Sequence, residues 1–95
     1  MSTTTQTAAD IAARALDETG APPARADFEA LFDRPSYSGD EVAALLDVAP
    51  STVRYWRHVG RGPKAWRLPG TRRNRYLRAD LIEWAVSAYA ASASA

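Results

Sequence analysis

The chain has 95 residues, no cysteine and a formal net charge of +1. That length supports one modest core and is too small for a catalytic cleft beside a separate ligand domain. The absence of cysteine excludes a disulfide framework and a thiolate metal site, which suits a reducing compartment. The near-neutral total hides a strong polarity, because residues 1–53 sum to −6, residues 54–78 to +9 and residues 79–95 to −2.

The N-terminal Met-Ser-Thr-Thr-Thr-Gln-Thr has neither a basic region nor an apolar run, so a secretory signal is not expected. No apolar stretch approaches the roughly 20 residues of a membrane-spanning helix. A soluble, cytoplasmic protein is the expectation, with no membrane partner. Residues 1–7 are Ser/Thr-rich and predicted to be disordered. Thr7 can cap a helix over 8–18, with Asp10 favourable in its first turn. Gly20 and Pro22-Pro23 end it. A second helix over 24–33 places Phe28, Leu31 and Phe32 on one face, and Pro35 closes it. These acidic helices, residues 1–37, form an N-terminal extension.

Ser38 caps a third helix, and Glu41 three residues on completes a capping box. Val42, Leu45 and Leu46 are its inward face. Asp47-Val48-Ala49 is too short for anything but a sharp turn, with Val48 tucked inward. Pro50 then suits the first position of a fourth helix, 50–59. That helix buries Val53 and Trp56 and turns Ser51, Thr52, Arg54, Tyr55, Arg57 and His58 outward. Gly60-Arg61-Gly62-Pro63 breaks it. A hairpin follows, with strands 64–68 and 75–78 joined by Pro69-Gly70-Thr71-Arg72-Arg73-Asn74, and with Trp66 and Leu68 on one face. A last helix from Asp80 has Leu81, Trp84, Ala85 and Ala88 as its inner stripe, and residues 91–95 are a fraying tail. Trp56, Trp66 and Trp84 all fall on predicted inner faces and are assigned to packing.

Two short helices joined by a tight turn and followed by a cationic hairpin point to double-stranded DNA. From Arg54 to Arg78 there are nine basic residues and no acid. The second helix of such a pair enters the major groove with its leading residues nearest the bases. Ser51, Thr52 and Tyr55 can exchange hydrogen bonds there, and Arg54 can grip a guanine or a phosphate. Arg57 and His58, nearer the other end, suit the DNA backbone. Arg61, Lys64 and Arg67 extend the cationic surface. A turn carrying Arg72, Arg73, Asn74 and Arg75 repels itself, so its composition makes sense against phosphates or a narrow minor groove. Enzyme readings gain no support. His58 is the only histidine, no Gly-Lys-Ser/Thr follows the glycines, and neither a metal nor a cofactor site is expected.

From Ser38 to Val86 the chain resembles the small MerR-like winged helix-turn-helix proteins, the excisionase or AlpA-type group in particular. The resemblance rests on Glu41-Val42-Ala43 with Leu45-Leu46, Pro50-Ser-Thr-Val-Arg54 with Trp56, and Gly60-Arg-Gly62-Pro63. It continues through Arg67-Leu68-Pro-Gly70, Arg72-Arg73 with Arg75-Tyr76, and Asp80-Leu81 with Trp84. Asp47 stands where the family usually has Gly, and Ala49 where it usually has a Ser cap.

The fold this implies is mainly α with a small β-hairpin wing, a winged helix-turn-helix over 38–90 behind the N-terminal helical extension. The function it implies is that of a phage or mobile-element excisionase, which binds and bends DNA on tandem sites and steers an integrase or recombinase. Cooperative self-association on DNA belongs to that picture. The long C-terminal dimerisation helix of the larger MerR-like factors is not expected. A small transcriptional regulator on the same scaffold is the alternative. A protein–protein adaptor using the acidic N-terminal helices is the third reading.

Overall fold

The computed structural model describes residues 6–71 and 73–93. Its elements are α1 (Ala8–Thr19), α2 (Arg25–Leu31), β1 (Ser36–Ser38), α3 (Gly39–Leu46), α4 (Pro50–Val59), β2 (Trp66–Arg67), β3 (Asn74–Leu77) and α5 (Arg78–Ala93). The expected disorder of residues 1–5 lies outside the described residues. Thr7 caps α1 as its sequence suggests. Its Oγ1 accepts the Asp10 N–H at 3.2 Å, and Asp10 Oδ2 accepts the Thr7 N–H at 3.1 Å.

α2 stops at Leu31, two residues before the predicted end, and Arg78 supplies the physical reason. Its guanidinium donates to the carbonyl oxygens of Phe32 and Glu29, the latter at 2.9 Å. Its own N–H donates to Pro35 O at 3.0 Å. One cation thus takes up carbonyls that the end of a helix leaves unpaired, and the dipole there favours it. Arg78 belongs to the basic block in sequence but serves as a tie between α2 and α5.

The tie also lays the chain from Ser36 to Ser38 along the sheet, as a strand that the sequence reading missed. The sheet is antiparallel in the order β1-β3-β2, with Tyr37 opposite Tyr76, Ser38 and Trp66 both opposite Arg75, and Arg67 opposite Asn74. Alternation along β1 and β3 turns Tyr37 and Tyr76 to the core, where both are buried. The outer face shows Arg75 and the exposed Leu77 and Trp66.

Phe28, Phe32, Tyr37, Val42, Leu46, Val53, Tyr76 and Leu81 share one buried cluster, so the N-terminal helices complete the same core as the helix-turn-helix. Trp56 and Trp84 pack ring to ring at 5.4 Å on its margin. Trp66 does not join them. It is 45% exposed on β2, because β2 is only two residues long and its register turns Trp66 to the outer face. α5 follows β3 with no intervening loop and runs to Ala93, past the expected end of the helix, because Ala and Ser there offer no breaker. It buries Ile82 in addition to the predicted Leu81 and Ala85. Among the described residues no helix is long and apolar enough to cross a membrane.

Candidate nucleic-acid interface

The turn between α3 and α4 sets the interface. Asp47 adopts the left-handed conformation, φ 58° and ψ 46°, the only non-glycine with positive φ among the described residues. Its N–H donates to Ala44 O at 3.2 Å, and the Val48 N–H donates to Ala43 O at 3.0 Å. This paired closure satisfies carbonyls at the end of α3 and drops Val48 against the core. Asp tolerates the conformation better than most residues, so the turn forms without the usual Gly. At the other end of α3, Ser38 Oγ accepts the Glu41 N–H at 3.2 Å, and Glu41 Oε1 accepts the Ser38 N–H at 2.8 Å. Arg34 Nη2 pairs with Glu41 Oε2 at 2.8 Å. The Ser38 N–H first, and the Arg34 guanidinium after it, hold the Glu41 carboxyl below its ordinary value.

Pro50 opens α4, and Ala49 before it offers no side-chain cap. α4 is anchored by Val53, which is buried, and Trp56, which is partly buried. The opposite side therefore faces out. Ser51, Arg54, Tyr55, Arg57 and His58 are exposed, and Thr52 is half-buried. Gly60 ends the helix with φ 76°, and the Arg61 N–H closes back on Trp56 O at 2.7 Å. Arg57 and His58 lie in the last turn, where the helix dipole favours cations.

The wing is held by its own turn. The Leu68 N–H donates to Arg73 O at 3.1 Å, the Thr71 hydroxyl donates to Leu68 O at 3.0 Å, and the Arg73 N–H donates back to that hydroxyl at 3.2 Å. Arg67 Nε donates to Thr71 O at 3.3 Å, so this cation braces the turn. Arg75 Nη2 donates to Ser36 Oγ at 2.9 Å and is half-buried. Arg72 lies outside the described residues.

These elements converge. Arg54 and Arg57 from α4, with Arg73, Asn74 and Arg75 from the wing, line one open groove whose end is formed by the start of α3 at Ser38–Asp40. A second, smaller groove at the end of α4 is lined by Arg57, Arg61 and Lys64. Among the described residues Arg54, Arg57, Arg61 and Arg73 make no side-chain hydrogen bond or ion pair. The salt bridges among the described residues instead use Arg25 and Arg34, with Glu29, Glu83 and Glu41. The first groove sets four arginines against one acid, Asp40, and that excess of like charge suits a polyanion laid across it.

Residues 36–87, more than half of the chain, match the family model described as a helix-turn-helix domain. The chain belongs to the helix-turn-helix domain family. The match begins at the first residue of β1, so the strand that the sequence reading missed lies inside the helix-turn-helix domain. Searches of curated proteins and of solved structures returned no match. With its three-stranded sheet, the protein is a DNA-binding helix-turn-helix domain of the winged kind.

Of the residues expected to meet nucleic acid, the groove gathers Arg54, Arg57, Arg73, Asn74 and Arg75. Ser51 and Tyr55 are exposed on α4 but do not line it. Arg61 and Lys64 stand at the second groove, and Arg67 turns into the wing. Trp66 is the residue that sequence reasoning misplaced. The sequence puts it on an inner face with Leu68, whereas the pairing of β2 with β3 turns it outward.

Proposed function

We propose that this helix-turn-helix protein binds specific sites in double-stranded DNA as an excisionase-type, MerR-like recombination directionality factor of a phage or mobile element. α4 enters the major groove, with Ser51, Thr52, Arg54 and Tyr55 nearest the bases. The wing, through Arg72, Arg73 and Asn74, grips the adjacent minor groove and backbone. The observation that supports this reading best is the convergence of unpaired Arg54, Arg57 and Arg73 on one groove between α4 and the wing. The protein acts by binding and bending DNA rather than by catalysis. Its partners are a recombinase and further copies of itself on tandem sites, within the bacterial nucleoid.

The test is a DNase footprint across the neighbourhood of its own gene. Staggered, repeated protection beside a recombination site, spreading cooperatively with concentration, is expected. A discrete footprint over a promoter would make the protein a small transcriptional regulator instead. No protection at low salt would overturn DNA binding and favour an adaptor working through the acidic helices.

A further inference from the structure

Not all cations of the basic block are held alike. Arg54, Arg57, Arg61 and Arg73 project without side-chain partners among the described residues. The Lys64 ammonium, by contrast, lies 4.1 Å from the centroid of the Trp66 ring. Trp66 is in turn fixed from below, because its indole Nε1–H donates to Asp80 Oδ2 at 2.9 Å. Asp80 sits in the first turn of α5. Among the described residues this is the one side-chain hydrogen bond that joins the wing segment 66–71 to the helical body.

The arrangement leaves Lys64 placed but not neutralised. Asp80 is the nearby acid, yet it accepts from the indole and forms no ion pair with the ammonium. A free lysine has four rotatable bonds, and holding its head in one place costs side-chain entropy. An aromatic face restrains the ammonium by electrostatic attraction while leaving its N–H groups open to a second partner. The register that turns Trp66 outward thus leaves its ring available to the Lys64 ammonium. Lys64 lines the same concavity as Arg57 and Arg61, where the chain turns through Gly60 and Gly62.

We propose that Arg57, Arg61 and Lys64 form a second phosphate seat at the C-terminal end of α4, and that Trp66 is the positioning residue that presets Lys64 for it. This rests on the DNA-binding reading and adds to it a place on the protein where a backbone phosphate is held. It also gives Trp66 a role at the interface although it touches no base.

A phosphate seat is blind to sequence, so a fluorescein-labelled random-sequence duplex is a sufficient probe, titrated by anisotropy over a series of salt concentrations. Lys64→Ala reduces the slope of log affinity against log salt by about 0.9. Trp66→Ala raises Kd about two- to fivefold when Lys64 is present, the range of an exposed cation–aromatic contact. In a Lys64→Ala background the same substitution has no further effect. Trp66→Phe keeps a ring under the ammonium and restores most of the affinity, although the bond to Asp80 is lost.

Unchanged affinity and slope for Lys64→Ala, while Arg54→Ala and Arg73→Ala still weaken binding, would overturn the seat and leave the DNA reading standing. Independent, multiplicative effects of Trp66→Ala and Lys64→Ala would overturn the positioning role. So would equal losses for Trp66→Phe and Trp66→Ala. Failure of the unmodified protein to bind the duplex at any salt would overturn the seat together with the reading beneath it.

Discussion

Gly62 is held against the helix that the interface depends on. Its φ is +77°, and a Cβ built there would meet Trp56 Cβ at 2.9 Å and Trp56 Cε3 at 3.0 Å. Gly62→Ala therefore incurs two penalties. Placing a side chain in the left-handed region costs about 1–2 kcal/mol, and forcing a methyl group into packed atoms costs about 1–3 kcal/mol more. The lower entropy of the unfolded alanine chain returns roughly 0.4–1 kcal/mol. The net expectation is a destabilisation of about 2–4 kcal/mol, a fall of at least ~10 °C in Tm for a domain of this size.

Gly60 provides the control. It has nearly the same φ, +76°, but nothing lies within 4 Å of its would-be Cβ. Gly60→Ala should show the conformational penalty alone, roughly 1 kcal/mol. Urea unfolding followed by far-ultraviolet circular dichroism gives both values, and their difference isolates the contact with Trp56. Equal destabilisation by the two substitutions would refute the packing of Gly62 on Trp56. The clashing atoms include Trp56 Cβ, which cannot swing aside as the tip of a flexible chain could, so the backbone of α4 or of the turn at Gly62 must shift. Gly62→Ala should accordingly weaken DNA binding even at temperatures where it remains folded.

Other substitutions test separate parts of the account. The Tyr76 hydroxyl is buried without a hydrogen-bond partner among the described residues. Tyr76→Phe should therefore stabilise the fold by about 1 kcal/mol, seen as a higher urea midpoint at unchanged slope. A loss of similar size would mean that the hydroxyl is satisfied. Ala49→Ser supplies the cap that α4 lacks and should raise stability by about 0.5–1 kcal/mol in the same assay. For pH, the Glu41 carboxyl is held below its ordinary value in the folded chain by the Ser38 N–H and the Arg34 guanidinium. A depressed carboxyl contributes stability above its unfolded pKa and loses it as pH falls through the folded value. Tm should thus drop as pH falls below the ordinary carboxylate range. Glu41→Gln should make that drop shallower, and an unaltered acid limb would contradict the assignment.

Local signals in the sequence are enough to place the helices. Thr7 with Asp10 and Ser38 with Glu41 are reciprocal caps whose partners lie three residues apart, so each is readable without tertiary structure. Pro50 and the Val53–Trp56 spacing define α4 in the same way, and they fix which of its residues face out. What the sequence conceals depends on residues distant along the chain. Ser36–Ser38 is too short to show a period, and it becomes a strand only through pairing with β3. Tyr37 and Tyr76 enter the core by that same pairing. Arg78 looks like one more cation of a basic run, yet its partners are carbonyls at the end of α2 and just beyond it, more than forty residues away. Trp66 illustrates the limit most directly. Hydrophobicity predicts an inward ring, whereas register turns it outward beneath Lys64.

The central claim is that α4 and the wing together hold double-stranded DNA. The direct measurement is the affinity of the protein for its footprinted duplex as a function of salt, with and without Arg54→Ala combined with Arg73→Ala. If Arg54, Arg57, Arg61, Lys64 and Arg73 each neutralise a phosphate, the slope of log affinity against log salt is about −4.5, a loss of roughly 500-fold between 50 and 200 mM salt. The double substitution should weaken binding by about 2–5 kcal/mol and make the slope shallower by about 2, with the circular dichroism spectrum unchanged. Undiminished affinity and slope in that variant would contradict the account.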